Sequence, residues 1–231
     1  MVETITAFLG VVMLALAALL PIINPPGLAP IFLSLTPGVS DPVRTALARR
    51  IAWNSFALLV GALLVGSYVL ILFGLSLAVI KIAGGLLVIA TAWHLVRAEQ
   101  SPDSGIVADP TTSVEHIASQ SFYPLTFPLT IGPGSISVAV TLGAGVRVRD
   151  VSDVTSVLGA LTGILLVSSA VYLCYRFASR LLVALGKTGT VVLLRLSAFI
   201  LLSVGVQILC DGLVERFVAP QSVAMRSVST R

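Results

Sequence analysis

Long apolar runs separated by short polar stretches make up most of the chain, which has 231 residues. A helix that crosses a membrane needs about 20 apolar residues. Six segments approach or exceed that length: 4–23 (continued past a break as 28–35), 51–73, 75–96, 122–146 (interrupted at 132–134), 154–175 and 191–213. The pattern predicts an all-α membrane protein with six transmembrane helices.

Proline and glycine interrupt the first and the fourth predicted helices. The first contains INPPG at 23–27, and the fourth contains IGPG at 131–134. Because proline lacks an amide donor and clashes with the preceding turn, each motif is expected to end one helix. Asn24 can then cap a new half-helix that begins at Pro25, and residues 132–134 can begin another. Each start is expected to offer free N–H groups and the positive end of a helix dipole to a cavity.

The two halves of the chain resemble one another at these breaks. Four residues recur 107 positions later: Pro21, Pro26, Gly27 and Gly38 correspond to Pro128, Pro133, Gly134 and Gly145. Three helices are an odd number, so a repeated second half must cross the membrane in the opposite direction. The sequence predicts two inverted three-helix repeats at 1–96 and 122–215, a cytoplasmic linker at 97–121 and a polar tail at 216–231. The alternative is a chance coincidence of a few prolines and glycines.

Composition supports a membrane protein and argues against other classes. Hydrophobic residues make up 57% of the chain and charged residues 10%, whereas a soluble domain carries about 25% charged residues. The net charge is +4, but Lys and Arg are scattered between apolar runs, so a nucleic-acid partner is not indicated. More of them fall in loops that are cytoplasmic if both termini are periplasmic, which favours that orientation. No HExxH, GxSxG or His/Cys ligand cluster occurs, so we expect no enzyme, metal or cofactor.

The paired breaks are the candidate site for a small solute. In an inverted repeat the two half-helix starts can approach each other near the midplane, where amide groups suit a carboxylate. The candidate substrate-binding residues are Asn24, Pro25, Pro26, Gly27, Gly132, Pro133, Gly134, Ser135 and Ser137. The alternative is that these motifs only kink the two helices.

Charged residues and cysteines inside the predicted helices give further expectations. Lys81 and Arg195 lie just inside their helices, where they either extend to the interface or act as gating charges for the two sides. Cys174 and Cys210 are expected to be buried free thiols, because they lie toward opposite faces of the membrane.

Four stretches together resemble the MarC family of six-span bacterial inner-membrane proteins: PIINPPGLAPIFLSLTPG, KIAGGLLVIA, FPLTIGPGSIS and RLSAFILLSVGVQILCDGL. The resemblance implies a transporter-like fold of two inverted repeats, with the NPPG and GPG motifs at matching positions. Family members include SnatA-type transporters of small neutral amino acids. This chain has Pro26 and Leu28 where the family often has an aliphatic and a polar residue.

The expected function is therefore secondary transport, either uptake or export, of a small neutral solute with a carboxylate, such as glycine or alanine. The solute would bind at the midplane between the two half-helix N-termini, in a bacterial inner membrane. The alternative is a channel-like or structural membrane protein without a transported substrate. Besides the solute, the lipid bilayer is the expected partner, and a homo-oligomer is compatible with the sequence.

Overall fold

The computed structural model describes residues 2–36, 38–97, 121–145 and 151–217. Within these ranges the regular structure is helical and contains no strand, as the sequence predicts. The elements in chain order are α1 (Val2–Ile23), α2 (Pro25–Ser34), α3 (Asp41–Leu72), α4 (Leu77–Arg97), a π-helix (Leu125–Thr130), α5 (Pro133–Gly145), α6 (Val151–Arg176) and α7 (Ala178–Phe217).

Four stretches of the described residues are long and apolar enough to cross a membrane: Thr4–Leu33, Asp41–Gly66, Val154–Arg176 and Thr188–Phe217. Helix α4 adds a shorter apolar stretch, and the predicted fourth span is divided between the π-helix and α5. The six-span arrangement therefore stays a prediction. Almost all of the predicted linker and polar tail lie outside the described residues.

Two helices begin well before the apolar runs that predict them. Helix α3 begins at Asp41 rather than at residue 51, because Asp41 and Pro42 suit the first turn of a helix even though polar residues follow them. Helix α7 begins at Ala178 rather than at residue 191, and Gly186 interrupts it with φ 64° and ψ −177°. Glycine adopts this backbone conformation without the steric penalty of a side chain. The apolar part of α7 follows this break.

Helices α4 and α7 form the most extensive helix pair among the described elements, and they run antiparallel. A Cβ atom built on Gly85 would lie 2.7 Å from the backbone nitrogen of Leu209, and one built on Gly212 would lie 2.9 Å from that of Ile82. Glycine at these positions lets the two backbones approach closely, as small residues do between membrane helices.

The remaining contacts link the two halves of the chain. Helices α1 and α2 pack on α6, and α5 and the π-helix pack on α3. Helix α2 also packs on α7, and α5 packs on α4, while α3 and α6 pack on each other. The main core lies between these elements and includes Leu19, Phe32, Ile51, Ile131 and Tyr175.

Candidate functional site

The first break has the capping geometry that its sequence predicts. Asn24 adopts a left-handed backbone conformation, with φ 46° and ψ 59°, between α1 and α2. Its Oδ1 accepts a hydrogen bond of 3.3 Å from the Gly27 amide, and its carbonyl accepts one of 3.1 Å from Leu28. Asn24 is therefore the N-cap, and α2 begins at Pro25, as expected.

The expectation that this start offers free N–H groups is wrong. Pro25 and Pro26 have no amide hydrogen, and the amides of Gly27 and Leu28 both bond to Asn24. The double proline also leaves the carbonyls of Pro21 and Ile22 without their usual helical donors, which would come from residues 25 and 26. The backbone at the first break thus has spare acceptors rather than spare donors.

The second break has the opposite character. Helix α5 begins at Pro133, and its first intrahelical bond is 3.2 Å long, from the Ile136 amide to the Gly132 carbonyl. Gly134 and Ser135 are buried, and their amides have no acceptor among the described residues. Two donors of the α5 start are therefore unpaired inside the protein, where nearly all backbone groups find a partner.

A π-helix, which the sequence analysis missed, precedes this second start. The Ile131 amide bonds to the Thr126 carbonyl over five residues at 2.8 Å, and Phe127 has non-helical angles of φ −114° and ψ 128°. The prolines in YPLTFPLT remove the donors that a regular helix would need. Isolated π-helical turns are rare and occur frequently at functional sites.

Threonine side chains connect this π-helix to the neighbouring helices. The Asn54 amide group of α3 donates to Thr126 at 3.4 Å, and the Thr126 hydroxyl donates to the Ser121 carbonyl at 2.6 Å. The Thr130 and Tyr175 hydroxyls are 2.9 Å apart. Tyr175 is completely buried, and its ring stacks on Phe32 of α2 at 4.4 Å. One aromatic pair thus connects the helix after the first break with the π-helix before the second.

The two candidate serines are buried but already donate hydrogen bonds. The Ser135 hydroxyl donates to the Gly132 carbonyl at 3.1 Å, and the Ser137 hydroxyl donates to the Ile80 carbonyl of α4 at 3.0 Å. Each oxygen can still accept a bond. The free donors at the second break are therefore the two backbone amides and not the hydroxyls.

Two of the three candidate glycines, Gly27 and Gly134, are packed tightly against protein atoms, whereas a Cβ atom on Gly132 would lie 3.5 Å from the Pro128 carbonyl, an ordinary contact distance. A Cβ atom on Gly27 would lie 2.6 Å from the Ser197 hydroxyl of α7, and one on Gly134 would collide with Val88 of α4. Gly84 of α4 lies beside Ser137 in the same way. A substitution at Gly27 or Gly134 would therefore disturb helix packing as well as any solute. The sequence pattern alone does not reveal these contacts with Ser197, Gly84 and Val88.

The two starts lie at different levels along the α4–α7 pair. Gly85 lies beside Leu209, so the α4 segment that contacts the α5 start faces α7 near residue 207. The α2 start contacts Ser197, about ten residues away, which corresponds to about 15 Å at 1.5 Å per residue. A small solute at the α5 start would not reach the α2 start in this conformation.

The candidate gating charges lie in different environments. The Lys81 ammonium is 2.6 Å from the Glu215 carboxylate, and their side chains are 23% and 41% exposed. Arg195 is exposed on α7. A gating role stays a prediction for both. Cys174 and Cys210 are free thiols, but neither is fully buried as expected: Cys174 is half-buried, and Cys210 is exposed because its side of α7 faces away from the helical bundle.

The arginines near the start of α3 divide into two groups. Arg44 is mostly buried and donates to the Thr36 carbonyl at the end of α2 at 3.1 Å; it also contacts Asp41 at 3.2 Å and Ser179 at 3.5 Å. Arg49 and Arg50 are exposed. Arg44 therefore joins the start of α3 to the end of α2 and the start of α7.

A groove of about 620 Å³ lies between α3 and α6. It is lined by Arg49, Arg50, Ala52, Trp53, Asn54, Phe56, Leu165, Ser168, Ser169 and Tyr172. None of the candidate residues at the two breaks lines it. In this conformation the α5 start is closed by contact with α4.

Comparison with known proteins agrees with the sequence motifs. Residues 9–217 match the description "MarC family integral membrane protein". The chain belongs to the MarC family. It is an integral membrane protein with several apolar helices, and the resemblance seen in its motifs is confirmed.

Relatives of this MarC-family protein occur in bacteria and archaea. The UPF0056 membrane protein YvbG of Bacillus subtilis is 31% identical over 85% of this chain and 90% of its own. A UPF0056 membrane protein of Methanocaldococcus jannaschii is 30% identical over 87% and 94%, respectively. The UPF0056 inner membrane protein MarC of Salmonella typhimurium is 28% identical over 87% and 93%. No solved structure matches the chain.

Proposed function

We propose that this MarC-family protein is a secondary transporter of a small neutral solute that bears a carboxylate, such as glycine, alanine or serine. The observation that carries this proposal is the pair of unpaired amides of Gly134 and Ser135 at the start of α5. The solute carboxylate accepts hydrogen bonds from both amides, and its uncharged part lies against the α4 segment around Gly84 and Val88.

An unpaired amide is costly inside a bilayer, where each unsatisfied backbone group costs several kcal/mol. A carboxylate satisfies both donors at once, and the positive end of the α5 dipole favours its charge. The α2 start offers no free backbone amide to such a ligand, because Asn24 and the double proline remove every backbone donor. Among the candidate residues, Gly132, Pro133, Gly134, Ser135 and Ser137 therefore form the site, while Asn24, Pro25, Pro26 and Gly27 set the fixed angle between α1 and α2.

The helix contacts support a fold of two inverted repeats. Exchanging α1 with the π-helix, α2 with α5, α3 with α6 and α4 with α7 converts contacts between the halves into one another: α1–α6 becomes π-helix–α3, α2–α7 becomes α5–α4, and α2–α6 becomes α5–α3. The α3–α6 and α4–α7 pairs are unchanged by this exchange. Such repeats are typical of transporters, in which one group of helices moves against the other around a central site.

The arginines support an orientation with the linker and the start of α3 in the cytoplasm of a bacterial inner membrane. The contact between Arg44 and Ser179 places the start of α3 and the α6–α7 junction at the same end of the bundle. Arg49, Arg50, Arg176 and Arg180 lie on the same two segments. Positive residues accumulate on the cytoplasmic side, so both termini are periplasmic in this proposal.

Access to the site requires the α5 start to separate from α4. Val88 lies directly against Gly134 in this structure, so a solute must displace it. Because α4 and α7 pack closely through their glycines, we expect them to move as a pair. The Lys81–Glu215 contact joins this pair near one end, and Arg195 lies on α7 toward the other end. Lys81 and Arg195 then act as gating charges for the two sides.

Two substitutions at one position test the amide contact. Ser135→Pro removes the amide and the hydroxyl, and proline is tolerated in the first turn of a helix. Ser135→Ala removes only the hydroxyl. We expect Ser135→Pro to weaken glycine or alanine binding by about 10- to 100-fold, as for loss of one hydrogen bond to a charged group, and Ser135→Ala to change it less than threefold.

Binding is measured from the rise in melting temperature with solute concentration on purified protein, and uptake is measured in proteoliposomes. Both variants are compared at equal folded amounts. Equal affinity of Ser135→Pro and the unmodified protein would refute the amide site. The absence of any stabilising solute in the unmodified protein would instead favour the channel-like or structural alternative.

A further inference from the structure

The groove between α3 and α6 combines positive charge with an apolar wall. On α3 it is lined by Arg49, Trp53 and Phe56, which are spaced on one face of the helix, and by the neighbouring Arg50. On α6 it is lined by residues at positions 165, 168, 169 and 172, which also share one face. The groove is thus bounded by two stripes of side chains along antiparallel helices.

Charge and apolar surface lie in different parts of this groove. Arg49 and Arg50 are exposed at the end that also contains Tyr172. Further along, Trp53 is 68% exposed and stacks on Phe56 with ring centroids 5.7 Å apart, and Leu165 on the facing helix is 51% exposed. One end therefore suits an anion, and the rest suits a hydrocarbon chain.

A buried polar group strengthens this assignment. Ser168 lines the groove, is 4% exposed, and its hydroxyl has no hydrogen-bond partner among the described residues. A buried hydroxyl without a partner is unfavourable in an apolar setting. An ester or phosphate oxygen in the groove would give this hydroxyl an acceptor.

We propose that this groove binds one anionic phospholipid. The phosphate contacts Arg49 and Arg50, and an acyl chain lies along Trp53, Phe56 and Leu165. A volume of about 620 Å³ accommodates a headgroup and part of one chain. Basic pockets between membrane helices on the cytoplasmic side have the chemistry that anionic headgroups require.

A small amino acid is a poorer occupant of this groove. It would leave the exposed Trp53 and Leu165 uncovered and would bring an ammonium group next to two arginines. The lipid site is also separate from the proposed solute site, because none of the residues at the α5 start lines the groove. The two proposals can therefore fail independently.

Trp53 provides a direct signal for lipid in the groove, because the chain has two tryptophans. In a Trp93→Phe variant, the fluorescence of Trp53 is quenched by phospholipids with brominated acyl chains. We expect phosphatidylglycerol to quench at about a 30-fold lower mole fraction in mixed micelles than phosphatidylcholine with the same chains, because both arginines contact its net negative headgroup.

Charge variants distinguish lipid binding at a defined site from a general attraction of anionic lipid to the basic end of the bundle. Arg49→Gln with Arg50→Gln should remove the preference for phosphatidylglycerol, which corresponds to a loss of about 30-fold if each arginine contributes as basic residues do at an anionic surface. The control, Arg180→Gln with Lys187→Gln, removes the same charge from α7, at the same end of the bundle but on neither helix of the groove, and should keep the preference.

Leu165→Phe enlarges a side chain in the apolar part without adding a second tryptophan and should weaken quenching by both lipids, whereas inorganic phosphate should not protect Trp53. The proposal is overturned if the groove variants keep the preference, if the control loses it equally, or if the two lipids quench alike in the Trp93→Phe protein. Size-exclusion profiles and helical circular dichroism confirm that each variant is folded.

Discussion

The buried hydroxyl pair of Thr130 and Tyr175 allows a quantitative test of how the second break is held. The Thr130 hydroxyl donates to the Leu125 carbonyl at 2.6 Å, so its hydrogen is already used. Tyr175 must therefore donate to Thr130 across the 2.9 Å contact. Tyr175→Phe removes this one bond and keeps the ring that stacks on Phe32.

We expect Tyr175→Phe to reduce the free energy of unfolding by about 1 kcal/mol, the usual net value of one hydrogen bond. For a chain of this size that corresponds to a melting temperature lower by about 2–4 °C. Thr130→Val should lower the free energy of unfolding by about twice as much, because it leaves the hydroxyl of the completely buried Tyr175 without a partner. In the double variant neither hydroxyl remains, so the two losses should not add.

The assay is thermal unfolding of the detergent-purified protein, followed by circular dichroism in one fixed detergent. Tyr172→Phe is the matched control, because its hydroxyl accepts a 2.9 Å bond from Arg176 at an exposed position one turn away. We expect this control to change the melting temperature by about 1 °C or less. Equal effects of the two tyrosine substitutions, or strictly additive effects in the double variant, would refute the proposed pairing.

Two further predictions concern the start of α3 and the linker, which are cytoplasmic in the proposed orientation. Arg44→Gln should lower the free energy of unfolding by about 2 kcal/mol, because a mostly buried guanidinium loses its contacts with Thr36 and Asp41. The control is Arg180→Gln, and equal melting temperatures of the two variants would contradict this role of Arg44. In a protein whose own cysteines are replaced, Ala108→Cys in the linker should react with a membrane-impermeant maleimide only after the membrane is opened, and labelling of intact cells would invert the proposed orientation.

Local chemistry made the first break predictable from the sequence. Asn24 caps the helix with its own side chain, and Pro25 and Pro26 act through their rings, so no distant residue is needed to place the start of α2. The same local rule predicted that α5 begins near residue 133. It also implied that a double proline removes two amide donors, although the sequence analysis expected free donors at both starts.

Contacts between distant residues made the rest unpredictable from one sequence. The π-helix depends on Tyr175 and Asn54, which come from two other helices. The neighbours of Gly27 and Gly134 depend on the register of the α4–α7 pair. The position of Arg44 at the end of α2 likewise depends on how α3 folds back. Apolar periodicity shows that helices exist, but it does not determine which residues face each other.

The difference between the two breaks suggests how the proposed pair of inverted repeats can respond to a solute. At the first break every backbone amide of the α2 start is absent or bonded to Asn24, so no backbone donor there gains a partner when an anion binds. At the second, two buried donors lack partners, and the preceding π-helix is held by side chains of α3 and α6. A ligand shifts a conformational equilibrium only by its differential affinity for the two states. Solute binding should therefore act through the π-helix and α5, while α1 and α2 keep their angle.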